Sequence, residues 1–257
     1  MAEIGSATIE AIYRYPVKGL SPEPLESVVL TPSETLPFDR AYAIENGPGP
    51  FDPANPKHLQ KIHFVMLMRN EQLAKLRTHF DDLTHTLTVT TAGKQIARVD
   101  LRTPEGKTII EDIIAATVTS GLRGRPRVVS SPGHSFSDVA AKCLHVINSA
   151  SLRVLEAMLG AAVDPRRFRP NLVLDGLAPW RERELLGKRL RGNGTTLEIF
   201  KRTERCAATN VDPEAAVRAG DIPAFLLKAF GNTDFGVYAR VVEGGRIAPG
   251  NAFDVTG

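Results

Sequence analysis

Apolar and polar residues alternate over short runs along most of this chain, and each run is cut off by glycine, proline or a small polar cluster. Residues 7–15, with Ile9, Ile12 and Tyr13, form one such run; others cover 27–30, 36–44, 86–91, 195–203 and 236–242. A period of two puts successive side chains on opposite faces of a pleated ribbon, and the turn residues hold each ribbon to strand length. Residues 96–101 pair with 86–91 across a Gly93-Lys94 turn, Val128-Val129 and residues 172–174 are short strands, and Gly244-Gly245 is a turn. Residues 66–76 read as a strand running into a helix, and 47–56, dense in Gly and Pro, as a loop. A helical period shows in three further places. One is 108–117. The second carries Leu152, Leu155, Met158 and Leu159 on one face, with Ser149 or Ser151 as its cap and Gly160 as its stop. The third is capped by Asp221 and stopped by Gly231 after Phe230. Helices do not alternate regularly with strands, so parallel βαβ winding is disfavoured. The expectation is a mainly β, α+β protein of barrel-like architecture. The stretch 104–124 is the best boundary, dividing the chain into 1–120 and 121–257.

A length of 257 residues accommodates two modest domains, and a formal charge of +3 is only mildly basic. No long basic block or aromatic-interleaved stripe accompanies that charge, so no nucleic-acid partner is expected. Arg123, Arg125 and Arg127 read as a solvated loop face. Two cysteines, Cys143 and Cys206, make no disulfide framework, four-cysteine zinc site or iron–sulfur cluster. No apolar run approaches the roughly 20 residues that span a bilayer, and the first residues lack a secretory pattern. No membrane association and a reducing, cytoplasmic location are therefore expected.

The residue types with most chemistry gather in 201–213, Lys-Arg-Thr-Glu-Arg-Cys-Ala-Ala-Thr-Asn-Val-Asp-Pro. Cys206 follows the 195–203 strand and stands directly after Arg205, with Lys201 and Arg202 nearby. Positive surroundings favour the thiolate, the form that binds metals and attacks electrophiles. Thr209, Asn210 and Asp212 offer short polar side chains, and Asp212-Pro213 reads as a turn. A lone cysteine at a strand end is also compatible with a plain core position.

The chain resembles the MOSC family, named for the C-terminal domain of molybdenum-cofactor sulfurases. It is most similar to the branch with an N-terminal β-barrel domain, which includes the mitochondrial amidoxime-reducing components and their bacterial relatives. The resemblance runs nearly end to end. It rests on Tyr15-Pro16-Val17-Lys18, Phe38-Asp39-Arg40, residues 64–76, Phe136-Ser137-Asp138, residues 149–155 and Arg167-Phe168-Arg169-Pro170-Asn171. The stretch from Arg205-Cys206 to Asp212-Pro213, and Phe235-Gly236-Val237-Tyr238-Ala239, complete it. It implies a MOSC-type β-barrel plus an N-terminal barrel-like domain. It also implies a molybdenum-pterin cofactor whose metal takes a sulfur ligand from Cys206, a soft donor suited to a metal already held by sulfur. The family's basic residues around the pterin phosphate map to Lys18, Arg40 and Arg169, and Asn171, Ser137 and Thr209 stand where they could hydrogen-bond pterin or phosphate. Charged donors, arginine above all, match a phosphate. Gly19 replaces a hydroxyl residue common in relatives, which removes one phosphate contact.

Two activities follow. In the first, a molybdenum oxidoreductase reduces small N-hydroxylated compounds. The chain holds no cluster and no G-x-G-x-x-G fingerprint after a strand, so its electrons come from a separate donor protein. His134 and Asp138 are weak proton-donor candidates in a polar segment. In the second, the same cysteine and phosphate site serve a non-catalytic carrier of cofactor or sulfur. A pyridoxal-phosphate domain, which a full sulfurase requires, does not fit beside the two domains. A hydrolase pairing Cys206 with His134 or His145 is the weakest alternative.

Overall fold

The computed structural model describes residues 5–256. Seven strands close into a barrel. In order around it they are Leu172–Asp175, Leu144–Asn148, Asp234–Glu243, Thr195–Glu204, Arg189–Gly192, Ala252–Thr256 and Ser6–Arg14. Ser6–Arg14 pairs back onto Leu172–Asp175, with Ile12 opposite Leu172, and completes the ring. Neighbours run antiparallel except Leu144–Asn148 and Leu172–Asp175, which are parallel and joined over the helix Ser149–Leu159. Among the strands of the described residues, parallel pairing thus occurs once, where a helix does separate two strands. Alternation fills the inside with Ile9, Val146, Leu174, Leu197, Ile199, Val237 and Phe253. Burying each such side chain contributes roughly 1.5–3 kcal/mol before chain entropy is subtracted. Outside the barrel, Ser149–Leu159 and Ile222–Phe230 cover Phe168 and Phe235, whose rings stack with centroids 4.1 Å apart.

The second layer is built from the antiparallel strands Arg77–Asp81, Thr86–Thr91 and Lys94–Asp100, the pair Tyr42–Glu45 and Arg127–Ser130, and the helix Pro104–Thr117. Its core joins Val17, Leu73, Phe80, Leu87, Ile110 and Ile114. Residues 15–18 step from one layer to the other. Tyr15 follows the end of the barrel strand, and the Lys18 amide donates to the Tyr42 carbonyl at 2.8 Å. This crossing sets the cleft between the layers.

Several local expectations are corrected. Only Tyr42–Glu45 of 36–44 is a strand, because residues 36–41 turn to bring Arg40 N–H onto the Tyr15 carbonyl at 2.7 Å. Residues 66–76 hold no strand: a turn leads into the short 3-10 helix Glu71–Lys75. The first long helix begins earlier, with Thr103 accepting from the Gly106 amide and Pro104 in its first turn, where a missing N–H costs nothing. The cap of Ser149–Leu159 is Asn148, whose side chain accepts from the Ala150 amide. Asp221, Gly160 and Gly231 act as expected, the two glycines at φ 68° and 70°.

Candidate functional site

A cavity of about 260 Å³ opens where the 15–18 crossing, the 36–41 turn, the loop before Leu144 and the end of Thr195–Glu204 meet. Eight Lys or Arg side chains and three carboxylates line it, so the cleft attracts anions. Lys18, Arg40, Arg169, Asn171, Ser137 and Cys206 all contribute to its wall.

The basic residues are held by different means. Lys18 Nζ donates to the Phe136 carbonyl at 2.8 Å and pairs with Asp138. Burial pushes the Lys18 ammonium below its ordinary pKa, against the pull of Asp138. Burial acts on Asp138 in the opposite sense, but Lys18 outweighs it and holds the carboxylate ionised. Arg40 pairs with Asp39 and donates to the Arg169 carbonyl at 3.1 Å. Arg169 donates through Nη1 to the Leu20 carbonyl at 2.8 Å. Burial, then the neighbouring Arg40 charge, lower Arg169 to about 10. Both arginines have left-handed backbones, φ 51° and 54°. Such conformations cost of order 1–3 kcal/mol for a side-chain-bearing residue and concentrate at functional sites.

Cys206 is partly exposed in the cleft and begins a tight turn, Ala207–Asn210. Thr209 does not line the cleft. It is buried, and both its amide and its hydroxyl donate to the Cys206 carbonyl at 3.0 Å, so it shapes the turn that presents the thiol. Arg167, which also lines the cleft, locks this turn, donating to the Thr209 carbonyl at 2.7 Å and to the Ala219 carbonyl. Asn171 touches the cleft, but its oxygen accepts from the His145 amide at 3.0 Å and its nitrogen donates to the Tyr13 carbonyl at 3.2 Å. Ser137 Oγ donates to the Val139 carbonyl at 2.6 Å within its own loop. Asp138 lines the cleft; His134 packs instead on Phe136, with ring centroids 4.7 Å apart.

Four further wall or support residues lie outside the cofactor-binding set read from the motifs: Tyr15, His145, Arg205 and Tyr238. Arg205 Nη1 lies 3.2 Å from His145 Nε2, and Nη2 donates to the Phe168 carbonyl at 2.6 Å. His145 Nδ1 is 3.4 Å from the Arg169 carbonyl. Burial, then Arg205, hold His145 well below its ordinary pKa, so it is neutral, accepting at Nε2 and protonated at Nδ1. With both ring nitrogens engaged, His145 is no base for Cys206. Burial raises Tyr238 to about 12, keeping its hydroxyl protonated, and raises the Cys143 thiol to about 12. Arg205 was legible as the neighbour of Cys206; nothing in the sequence pairs His145 with Arg205 or Tyr15 with two arginines.

The family model described as the MOSC N-terminal beta barrel domain matches residues 6–121, and that described as the MOSC domain matches 131–254. The chain belongs to the MOSC-domain family. MOSC domains bind the molybdenum cofactor. No curated protein sequence matches the chain. Among solved structures it is similar to YiiM from Geobacillus stearothermophilus, at 20% identity and TM-score 0.36. That alignment covers 44% of this chain and 54% of YiiM, so it spans about half of that protein. It is also similar to the YUAD protein from Bacillus subtilis, at 11% identity and TM-score 0.46, over 97% of this chain and 95% of the other.

The residues present suit a MOSC cofactor. Arg169 Nη2 and Arg205 Nε are buried without a hydrogen-bond partner among the described residues, and a buried donor left unpaired is costly. A phosphorylated ligand in this cleft brings the acceptors such donors need. Among the described residues no three His, Cys, Asp or Glu side chains cluster around a common metal position. No helix among the described residues is long and apolar enough to cross a membrane.

Proposed function

We propose that the chain is a molybdenum-cofactor-dependent oxidoreductase that reduces N-hydroxylated compounds with electrons from a separate donor protein. The observation that carries this reading is the convergence of Lys18, Arg40, Arg169 and Cys206, far apart in sequence, on one cleft. When bound, a molybdenum–pterin group supplies two-electron removal of oxygen from an N–O bond. The protein's part is to hold and orient. Lys18, Arg40 and Arg169 serve the phosphate, each charged hydrogen bond contributing roughly 1.5–3 kcal/mol. Cys206 offers the metal a soft thiolate. The Met66-Leu67-Met68 turn gives the cleft an apolar side for the body of a small substrate. Tyr238, kept protonated, is a hydrogen-bond donor in the same wall. Asp138, held ionised, is not an acid at neutral pH but neutralises part of the basic cluster.

The test uses protein produced with an intact cofactor pathway and assayed for molybdenum. Reduced viologen dye and a benzamidoxime should give the amidine, whereas NADH alone should not be oxidised at a useful rate. Confirmed molybdenum with no product across a panel of N-hydroxy compounds overturns the reductase and leaves a cofactor or sulfur carrier as the better reading.

A further inference from the structure

We propose that Tyr15 is a positioning residue of the anion site, its ring holding the Arg40 and Arg169 guanidiniums together so that both serve one phosphate. The inference rests on reading the cleft as a phosphate site and adds a residue that does not itself line it. Two guanidiniums share this one ring: Arg40 Cζ lies 4.5 Å and Arg169 Cζ 4.2 Å from its centroid. Cations are attracted to the negative face of an aromatic ring, most strongly where water is excluded, and Tyr15 is fully buried.

Such attraction is needed here. Like charges repel, and Arg40 lowers the pKa of both Arg169 and Lys18. Asp39 is the ion-pair partner of Arg40, and among the described residues Arg169 has no carboxylate partner. The Tyr15 backbone ties the arrangement together as well. Its amide donates to Asp39 Oδ1 at 2.9 Å, and its carbonyl accepts from the Arg40 amide at 2.7 Å. One residue therefore fixes the ring, the counter-ion and the left-handed turn at Arg40. The Tyr15 hydroxyl is buried with no partner among the described residues, so the role belongs to the π face rather than to the phenol oxygen.

The experiment reads anion affinity, not catalysis. Full-length protein made without cofactor is titrated with inorganic phosphate at low salt. Tyr15→Phe should bind phosphate within about twofold of the parent. Phenylalanines of increasing ring fluorination at position 15 keep the shape but drain the π face, and affinity should fall stepwise, by about fivefold or more at the end of the series. Folding is followed by near-ultraviolet circular dichroism on each variant. Tyr15→Met, which keeps bulk without a ring, should lose phosphate binding at least as far. Equal affinity across the fluorinated series overturns the proposal while leaving the phosphate site intact. Failure of the parent protein to bind phosphate at all overturns the site and the role of Tyr15 with it.

Discussion

Cys206 shows how little a residue's neighbours in sequence say about what holds it. Its thiol is presented by a turn closed through Thr209 and held by Arg167. Cys206→Ser exchanges a soft thiolate for a neutral hydroxyl of nearly the same size. It should fold with an unchanged melting temperature and retain much less molybdenum, losing any sulfur-to-metal absorption band. Cys143→Ala, at a buried thiol that burial keeps protonated, should retain the metal. Equal molybdenum in Cys206→Ser and the parent would remove Cys206 from the ligand set. Lys18, Arg40, Arg169 and Cys206 were legible because each sits inside a matched motif with a chemically telling side chain. Thr209 carried the same signal, yet its hydroxyl is spent on a local carbonyl. The roles of Tyr15 and His145 were not legible: Tyr15 reads only as part of a motif and His145 only as a weak base for Cys206, because their partners, Arg40, Arg169 and Arg205, arrive from remote segments.

At the scale of elements, the missed strand Leu144–Asn148 is the instructive one. All five residues are buried, so the period-two pattern that revealed Ser6–Arg14 is absent. That is the signature of a strand covered on both faces, here parallel to Leu172–Asp175 and antiparallel to Asp234–Glu243. Arg189–Gly192 and Ala252–Thr256 were missed because they are short and flanked by turn residues. The pairing of Leu144–Asn148 with Asp234–Glu243 depends on Gly236. Its φ is 81°, and an added Cβ would stand 2.6 Å from the Val146 carbonyl oxygen and 2.8 Å from His145 Nε2. Gly236→Ala should cost roughly 2 kcal/mol or more, read from urea melts, and should weaken phosphate binding by disturbing His145 and Arg205. Wild-type stability in this variant would mean that the strand can shift at little cost. The cap of the next helix brings a pH prediction. Glu182 is buried and accepts from Asn148 Nδ2 at 3.1 Å and Ser151 Oγ at 2.8 Å, while its other oxygen has no partner among the described residues. Burial, outweighing those hydrogen bonds, raises its pKa above the ordinary 4.5. The folded state then binds this proton more tightly than the unfolded state, so stability falls as pH rises from 4.5 through the raised value. Glu182→Gln keeps the accepting oxygen and cannot ionise. Its melting temperature should decline less over that interval and equal or exceed the parent's at pH 7; parallel curves would show that Glu182 does not titrate in this way.

At the scale of the molecule, the chain's turn-rich stretch at 104–124 and the hydrogen-bonded sheet do not part at the same place. Ser6–Arg14 lies at the start of the chain, yet it is a stave of the barrel formed by the second half. Thr8 faces Asp175, Ile12 faces Leu172, and Ala7 faces Phe253. Removing it leaves two open strand edges and uncovers the core that Ile9 and Ile12 fill. It also removes the route by which Tyr15 and Lys18 reach the cleft. Residues 121–257 alone should therefore not fold cooperatively, giving little near-ultraviolet dichroism, poor amide dispersion and a tendency to associate through the open edges. The same geometry says how to rescue them. Ser6 pairs with Asp254, so a short flexible linker after residue 256 can return residues 5–24 to their place. That permuted fragment should regain a cooperative melt, although the cleft would still lack Arg40 and with it half of the pair that Tyr15 holds. A fragment of 121–257 that folds unaided, with a melting transition as sharp as the whole protein's, would show that the seventh strand is an addition to the barrel and not a condition for it.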